Sequence, residues 1–199
     1  MLQLIETICF ENGIFQRIPL HEERLNRSRN HFLGKVEPIF LAPLLKIPES
    51  LNTNKVRCRI TFTKEIESIE YELYNKRAIT SLQLVFDDAI DYSYKYKQRD
   101  SLNALLSLRG NADEILVVKS GLITDTSFTN VVFLKEGVWY TPATPLLPGT
   151  RREHYLRINQ IFPADIQPDD LYKYEEARLI NAMLSLEDSA TIPIANLIF

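Results

Sequence analysis

Two apolar runs, Ile115-Leu116-Val117-Val118 and Val131-Val132-Phe133-Leu134, bracket a short polar stretch, Gly121 to Asn130, that reads GLITDTSFTN. Short apolar runs bounded by turn residues are expected to be buried strands. The stretch between them brings an acid, Asp125, and several hydroxyl and amide side chains to the edge of a core. Polar groups in that position are costly without partners. Either the local backbone supplies those partners, as in turns closed by Thr and Asn side chains, or a ligand does. The stretch taken alone favours the first reading. The rest of the chain favours the second.

An apolar run over residues 2–10 ends at Glu11-Asn12-Gly13. Asn-Gly is a strong hairpin signal, because a type I′ turn needs positive φ at both central residues. Residues 14–18 are expected to return as a strand, stopped by Pro19. Residues 20–33 change to helical spacing, with Leu25, Ser28 and Phe32 on one face and Gly34 at the end. Pro38, Pro43 and Pro48 then mark a loop with one short helix. From Val56 to Thr63 the chain alternates strictly, apolar on one face and carrying Arg57 and Arg59 on the other. Strands at 66–74 and 79–86 follow.

The second half reads as a helix over about residues 101–109 and strands at 114–118, 131–134 and 138–141. A proline-rich passage, 141–148, leads to Gly149-Thr150-Arg151, which opens a helix expected over 152–161. A last helix is expected over 171–186, capped by Asp169 or Asp170. The layout is α+β. Asp87-Asp88 is the natural boundary, giving an N-terminal α+β lobe, 1–88, and a C-terminal lobe, 89–199.

Composition excludes several classes. At 45% hydrophobic and 25% charged residues, the chain fits a soluble globular protein. A net charge of −3 gives no footprint for nucleic acid or an anionic membrane. No apolar run is of spanning length, and the first residues hold an acid and no basic start, so neither a membrane span nor a signal peptide is expected. Cys9 and Cys58 lack metal-ligand spacing, and His21, His31 and His154 do not cluster, so no metal site is expected. A reduced, cytoplasmic protein is the natural reading.

Four features carry chemistry. A lysine among Tyr92, Tyr94 and Tyr96, either Lys95 or Lys97, can be desolvated; burial lowers an amine's pKa and leaves it nucleophilic. The backbone N–H groups at Thr150 and Arg151 would form an anion site at a helix start. An arginine such as Arg24 complements a phosphate. Asp125 supplies an acid. Amine, phosphate cradle and acid are what pyridoxal 5′-phosphate requires.

In that order the segments IETICFENGIF, LHEERLNRS, KYKQRDSLNALL, ADEILVVKSGLITDTSFTNVVF and TPATPLLPGTRR resemble the class IV aminotransferases. These fold-type IV pyridoxal phosphate enzymes include 4-amino-4-deoxychorismate lyase and the branched-chain and D-amino acid aminotransferases. The resemblance implies a two-lobed D-amino acid aminotransferase-like fold, with a small N-terminal lobe and a larger C-terminal lobe of β-meanders and helices. That larger lobe would carry the Schiff-base lysine and most of the cofactor site. The resemblance makes Lys95, rather than Lys97, the catalytic lysine, from its spacing to Arg99 and to Ala112-Asp113-Glu114. Arg24, in His21-x-x-Arg24-Leu25, matches the phosphate-binding arginine; its plain alternative is a helix-surface arginine paired with Glu22 or Glu23. Asp125 falls where the family usually has glutamate, five residues before Asn130. Gly149, Thr150 and Arg151 match the phosphate-cradling helix start. Arg57, Arg59 and Tyr94 are candidates for the substrate, or for a solvated sheet face and plain packing.

The resemblance also implies a homodimer and a small amino substrate. Elimination of pyruvate to give 4-aminobenzoate is the favoured reaction. A branched-chain or D-amino acid aminotransferase is the alternative within the enzyme class, and a non-catalytic relative that keeps the fold for binding is the alternative outside it.

Overall fold

A computed structural model of the protein describes residues 2–52 and 54–199. The chain divides into two compact units: Met1–Asn75 with Tyr94–Gln98, and Lys76–Ser93 with Arg99–Phe199. The first division thus falls at Asn75, ahead of the Asp88 boundary read from the sequence. The segment with Lys95 returns to the first unit.

In the first unit, β1 (Leu4–Glu11) and β2 (Ile14–Phe15) form the hairpin, with Asn12 at φ 56° and Gly13 at φ 80°. The return strand is only two residues long, because the chain enters α1 (Ile18–Leu33) almost at once. Pro19 sits in the first turn of that helix, where a missing N–H costs nothing, so it opens the helix as much as it ends the strand. β3 (Val56–Phe62) and β4 (Ile66–Leu73) complete an antiparallel sheet of order β2-β1-β3-β4. As the alternation demanded, Val56, Cys58, Ile60 and Phe62 are buried; Cys58, Ile60 and Phe62 pack with Leu4, Ile8 and Leu25.

The inward face of α1 is largely polar. His21, Arg24, Ser28 and Arg29 are buried beside Leu25, whereas Phe32, expected on that face, is 40% exposed. Each of these polar groups is bonded; Arg29, for example, donates to the carbonyls of Lys64 (2.9 Å) and Glu37 (2.7 Å). The 94–98 segment lies antiparallel to β1. Tyr96 bridges Leu4, the Ile5 N–H donates to Lys95 O (2.9 Å), and the Lys97 N–H donates to Gln3 O (2.9 Å).

The second unit holds two sheets. β5 (Leu82–Phe86) runs parallel to β6 (Glu114–Lys119), reached through α2 (Asp100–Leu106). Ser120 (φ 52°) and Gly121 (φ 77°) then turn the chain into β7 (Leu122–Ile123). β8 (Asn130–Lys135) and β9 (Val138–Pro142) form a hairpin, followed by α3 (Thr150–Arg157) and β10 (Phe162–Ala164).

Residues 171–186 do not form the expected helix. The capping signal is genuine: Gln167 and Asp170 form a capping box, but it opens only a 3-10 stretch, Pro168–Lys173. The chain then becomes β11 (Glu176–Ile180), paired with β8 over its whole length from Glu176↔Leu134 to Ile180↔Asn130. Without that pairing the buried edge of β8 would keep its N–H and C=O groups unbonded, a larger cost than the helix propensity of Glu, Ala, Arg and Leu can offset. β12 (Ile192–Pro193) and β13 (Leu197–Ile198) finish the sheets, of order β10-β9-β8-β11-β12 and β13-β5-β6-β7. Phe133, Val131, Leu116, Ile123 and Leu179 form the core. Among the described residues, no helix is long and apolar enough to cross a membrane.

Candidate active site

In the second unit, the polar stretch between the two apolar runs resolves into two parts. The threonines follow the plain reading. Thr124 Oγ1 donates to Val117 O (2.8 Å), and Thr126 Oγ1 accepts from the Thr129 N–H (3.0 Å) and meets Thr129 Oγ1 at 2.7 Å. Asp125 and Asn130 reach further. Asn130 Nδ2 donates to Asp125 Oδ1 (2.8 Å) and to Leu147 O (2.9 Å), while the Leu147 N–H donates to Asp125 Oδ2 (2.9 Å). One asparagine therefore ties the acid to the proline-rich passage that feeds α3.

Gly149, just before α3, rests on this knot. A Cβ there would lie 2.0 Å from Asn130 Oδ1, so only glycine fits. Thr150 and Arg151, the first residues of the helix, are buried. The first N–H groups of a helix lack carbonyl partners within it, which makes a helix start a place where an anion can be held. The Arg151 side chain is committed elsewhere: Nε donates to Asn181 O (3.1 Å) and Nη2 to Ala182 O (3.1 Å), with the guanidinium over the Tyr155 ring.

Asp125 is 4% exposed. Burial pushes its carboxyl up to about 6, against the downward pull of the Leu147 N–H, Asn130 and the charge of Arg152. Arg152 was not singled out in the sequence, although it is the second arginine of Gly-Thr-Arg-Arg. It is buried and donates through Nη2 to Pro142 O (2.7 Å) and through Nε to Thr141 Oγ1 (3.3 Å). Two further groups pin the turn after Asp125. Arg99 Nη2 donates to Ser127 O (2.5 Å), and fully buried Glu114 accepts from the Ser127 N–H (3.4 Å). An acid at the head of an apolar strand was the available signal for Glu114.

In the first unit, Lys95 is half-buried and Lys97 exposed. The rings of Tyr94 and Tyr96 lie against the end of α1: Tyr94 stacks on His31 at 4.6 Å and meets Phe32 edge-on at 4.9 Å. Tyr94 thus packs on its own unit. The Tyr96 N–H donates to Tyr94 O (2.9 Å), which closes a tight turn centred on Lys95.

Arg24 is not the surface arginine of the plain alternative. It is buried and makes a two-pronged pair with Glu6 of β1, Nε to Oε1 at 2.8 Å and Nη2 to Oε2 at 2.7 Å. Glu22 instead accepts from the Leu41 N–H (2.6 Å). Arg24 and Lys95 are thereby fixed to consecutive residues of β1, Arg24 through the Glu6 side chain and Lys95 through the Ile5 N–H. Arg57 forms an exposed cross-strand pair with Glu72 (2.7 Å), as a solvated sheet face would. Arg59 lies half-buried between Thr7 and Glu70 in the same sheet.

These residues suit the cofactor that the sequence suggested. Asp125 is a buried acid, the kind of group that can share a proton with a ring nitrogen. Gly149 lets Asn130 pack against the backbone at the start of α3, a helix start of the kind that can hold a phosphate.

The family model described as amino-transferase class IV matches residues 3–187, and the chain belongs to that family. Class IV aminotransferases are pyridoxal 5′-phosphate enzymes. An uncharacterized protein of Haemophilus influenzae is 40% identical over 188 residues, which span 94% of this chain and 100% of that one. The crystal structure of a candidate 4-amino-4-deoxychorismate lyase from Haemophilus somnus superposes with a TM-score of 0.88 at 35% identity, covering 94% of this chain and 98% of its own. A candidate amino-acid aminotransferase from Mesorhizobium loti shares the fold, with a TM-score of 0.78 at 24% identity over 97% of this chain and 98% of its own.

Proposed function

We propose that this protein is a pyridoxal 5′-phosphate-dependent lyase of the 4-amino-4-deoxychorismate type, releasing pyruvate and leaving 4-aminobenzoate. The observation that supports the reading most is the likeness to the Haemophilus somnus protein at 35% identity across nearly the whole of both chains. When bound, the cofactor supplies an aldehyde that condenses with amines and a ring that takes up electrons released at the substrate's Cα.

The rest is the work of this chain. Lys95 Nζ would hold the cofactor and would be the base that takes the proton from the substrate's Cα. Asp125 keeps a proton on the ring nitrogen. Its side chain is one methylene shorter than glutamate, and the Asn130–Leu147 knot fixes its position. The start of α3 at Gly149, Thr150 and Arg151 holds the phosphate with backbone N–H groups, and Arg24 adds a guanidinium. Arg59, half-buried on the sheet of the first unit, is the better of the two sheet arginines for a substrate carboxylate, because Arg57 already has Glu72. We further propose a homodimer in the cytoplasm as the working form.

The test has two arms. Borohydride reduction of cofactor-loaded protein, followed by peptide mapping, should label position 95; label at position 97, or none, refutes the lysine assignment. The loaded enzyme should then release pyruvate from aminodeoxychorismate without a keto acid. Turnover that depends on a keto-acid acceptor would assign an aminotransferase instead. Neither turnover, with cofactor bound, would leave a binding relative.

A further inference from the structure

A helix packed on a sheet ordinarily presents an apolar stripe to it. Helix α1 instead turns His21 and Arg24 inward, and both reach one acid. Arg24 grips Glu6 through two parallel bonds, and His21 Nδ1 stands 2.7 Å from the same Oε2. His21 is 0% exposed, Glu6 1% and Arg24 6%. Burial alone would raise the Glu6 carboxyl, but the charge and hydrogen bonds of Arg24, with those of His21, hold it down to about 2, so it stays ionised. Burial pushes His21 the other way, below its ordinary value and toward the neutral form, against the pull of Glu6.

Within the Glu6–Arg24 pair one positive and one negative charge therefore cancel, while the charge of Arg17 also reaches His21. A phosphate brought near gains little from net attraction. What Arg24 offers is direction: with Nε and Nη2 both bound to a carboxylate, the planar guanidinium is held in one orientation. Buried ion pairs of this kind add little to stability over apolar residues of the same volume.

We propose that Glu6 is a positioning residue for phosphate binding: it locks the Arg24 guanidinium in the orientation that addresses a phosphate group, and His21 steadies Glu6 by its bond to Oε2. This rests on the reading of Arg24 as a phosphate anchor. The competing role for the same atoms is a plain staple between α1 and β1.

Charge and direction make opposite forecasts for Glu6→Gln. Removing the carboxylate leaves Arg24 uncompensated, so simple attraction would tighten phosphate binding. Loss of the lock loosens it. Cofactor-free protein is titrated by equilibrium dialysis with pyridoxal 5′-phosphate and, in parallel, with pyridoxal, which lacks the phosphate. The expected result is ten- to a hundredfold weaker binding of pyridoxal 5′-phosphate by Glu6→Gln, with pyridoxal binding unchanged. Glu6→Asp keeps the charge but draws the carboxylate back by one methylene. It should show the same phosphate-specific loss, to a smaller degree, and serves where Glu6→Gln does not fold. The double variant with Arg24→Ala should bind no worse than Arg24→Ala alone. Unchanged or tighter binding of pyridoxal 5′-phosphate by the Glu6 variants, beside a weakened Arg24→Ala, overturns the proposal and leaves the anchor standing. An equal loss of pyridoxal in the Glu6 variants also overturns it, in favour of a staple. Wild-type binding by Arg24→Ala removes the anchor itself, and the proposal with it.

Discussion

Asn130 shows how much one side chain can organise. Its amide joins Asp125 to Leu147, and its carbonyl oxygen fills the place a side chain at Gly149 would take. Gly149→Ala should cost about 1–3 kcal/mol, the usual penalty for forcing atoms into a filled space. Urea denaturation would show it, and cofactor affinity should fall in the same variant. Asp125 carries a pH signature. Its carboxyl is raised from 3.8 to about 6, so the folded state holds the proton more tightly than the unfolded one. In the cofactor-free protein this group must therefore lower stability as pH rises from 3.8 to about 6, by about 3 kcal/mol in all. Asp125→Asn should lack that decline when unfolding free energies are compared at pH 4 and pH 7. The acid, the asparagine and the glycine were all legible in the sequence through their order and spacing. The bonds of Arg152, Arg99 and Glu114 were not, because each reaches a group distant in the chain; Arg99 and Glu114 stood out only as positions, and the partners they hold did not.

Elements with a strong local period were equally legible. The alternation of β3 forecast its burial, and Asn12-Gly13 forecast the hairpin. Residues 171–186 show the opposite case. Their composition favours a helix, and a capping box opens a 3-10 turn just ahead of them, yet β8 recruits Glu176–Ile180 as its neighbour. A peptide of residues 171–186 should accordingly turn helical in trifluoroethanol, as followed by circular dichroism, although the folded protein uses it as a strand. Pairing on β8 matters more to the second unit than any single helix. Phe133, fully buried at the centre of that strand, should cost about 3–5 kcal/mol when cut to alanine, read from the urea midpoint. The inward face of α1 was read in part: Leu25 and Ser28 are buried as expected, whereas Phe32 is not, and the buried His21, Arg24 and Arg29 were not foreseen. Its periodicity was visible, but the partners that let His21, Arg24 and Arg29 be buried come from β1 and from loops.

Across the whole molecule, acid acts with opposite signs. Glu6 is held near 2 against an ordinary 4.5, so its contribution is fully present above pH 4.5 and is lost as pH falls toward 2. His21 is kept below its ordinary 6.5, so its neutral form favours folding above pH 6.5 and charging opposes it as pH drops. Both groups make the first unit acid-sensitive, while Asp125 in the second gains from protonation. Glu6→Gln should flatten the acid limb of a stability–pH curve below pH 4.5, and Asp125→Asn should remove the decline above it; measuring both variants by urea titration separates the two contributions. What the sequence determined by itself was written in near neighbours: strand alternation, the hairpin, the starts of α1, α2 and α3 to within two residues, and the ordered motifs that mark the family. Only the tertiary structure decided that residues 176–180 are a strand, that the Lys95 segment joins β1, and that Arg24 is spoken for by Glu6. Those outcomes depend on which buried N–H, C=O and charged groups find partners far along the chain, and a linear pattern does not encode that pairing.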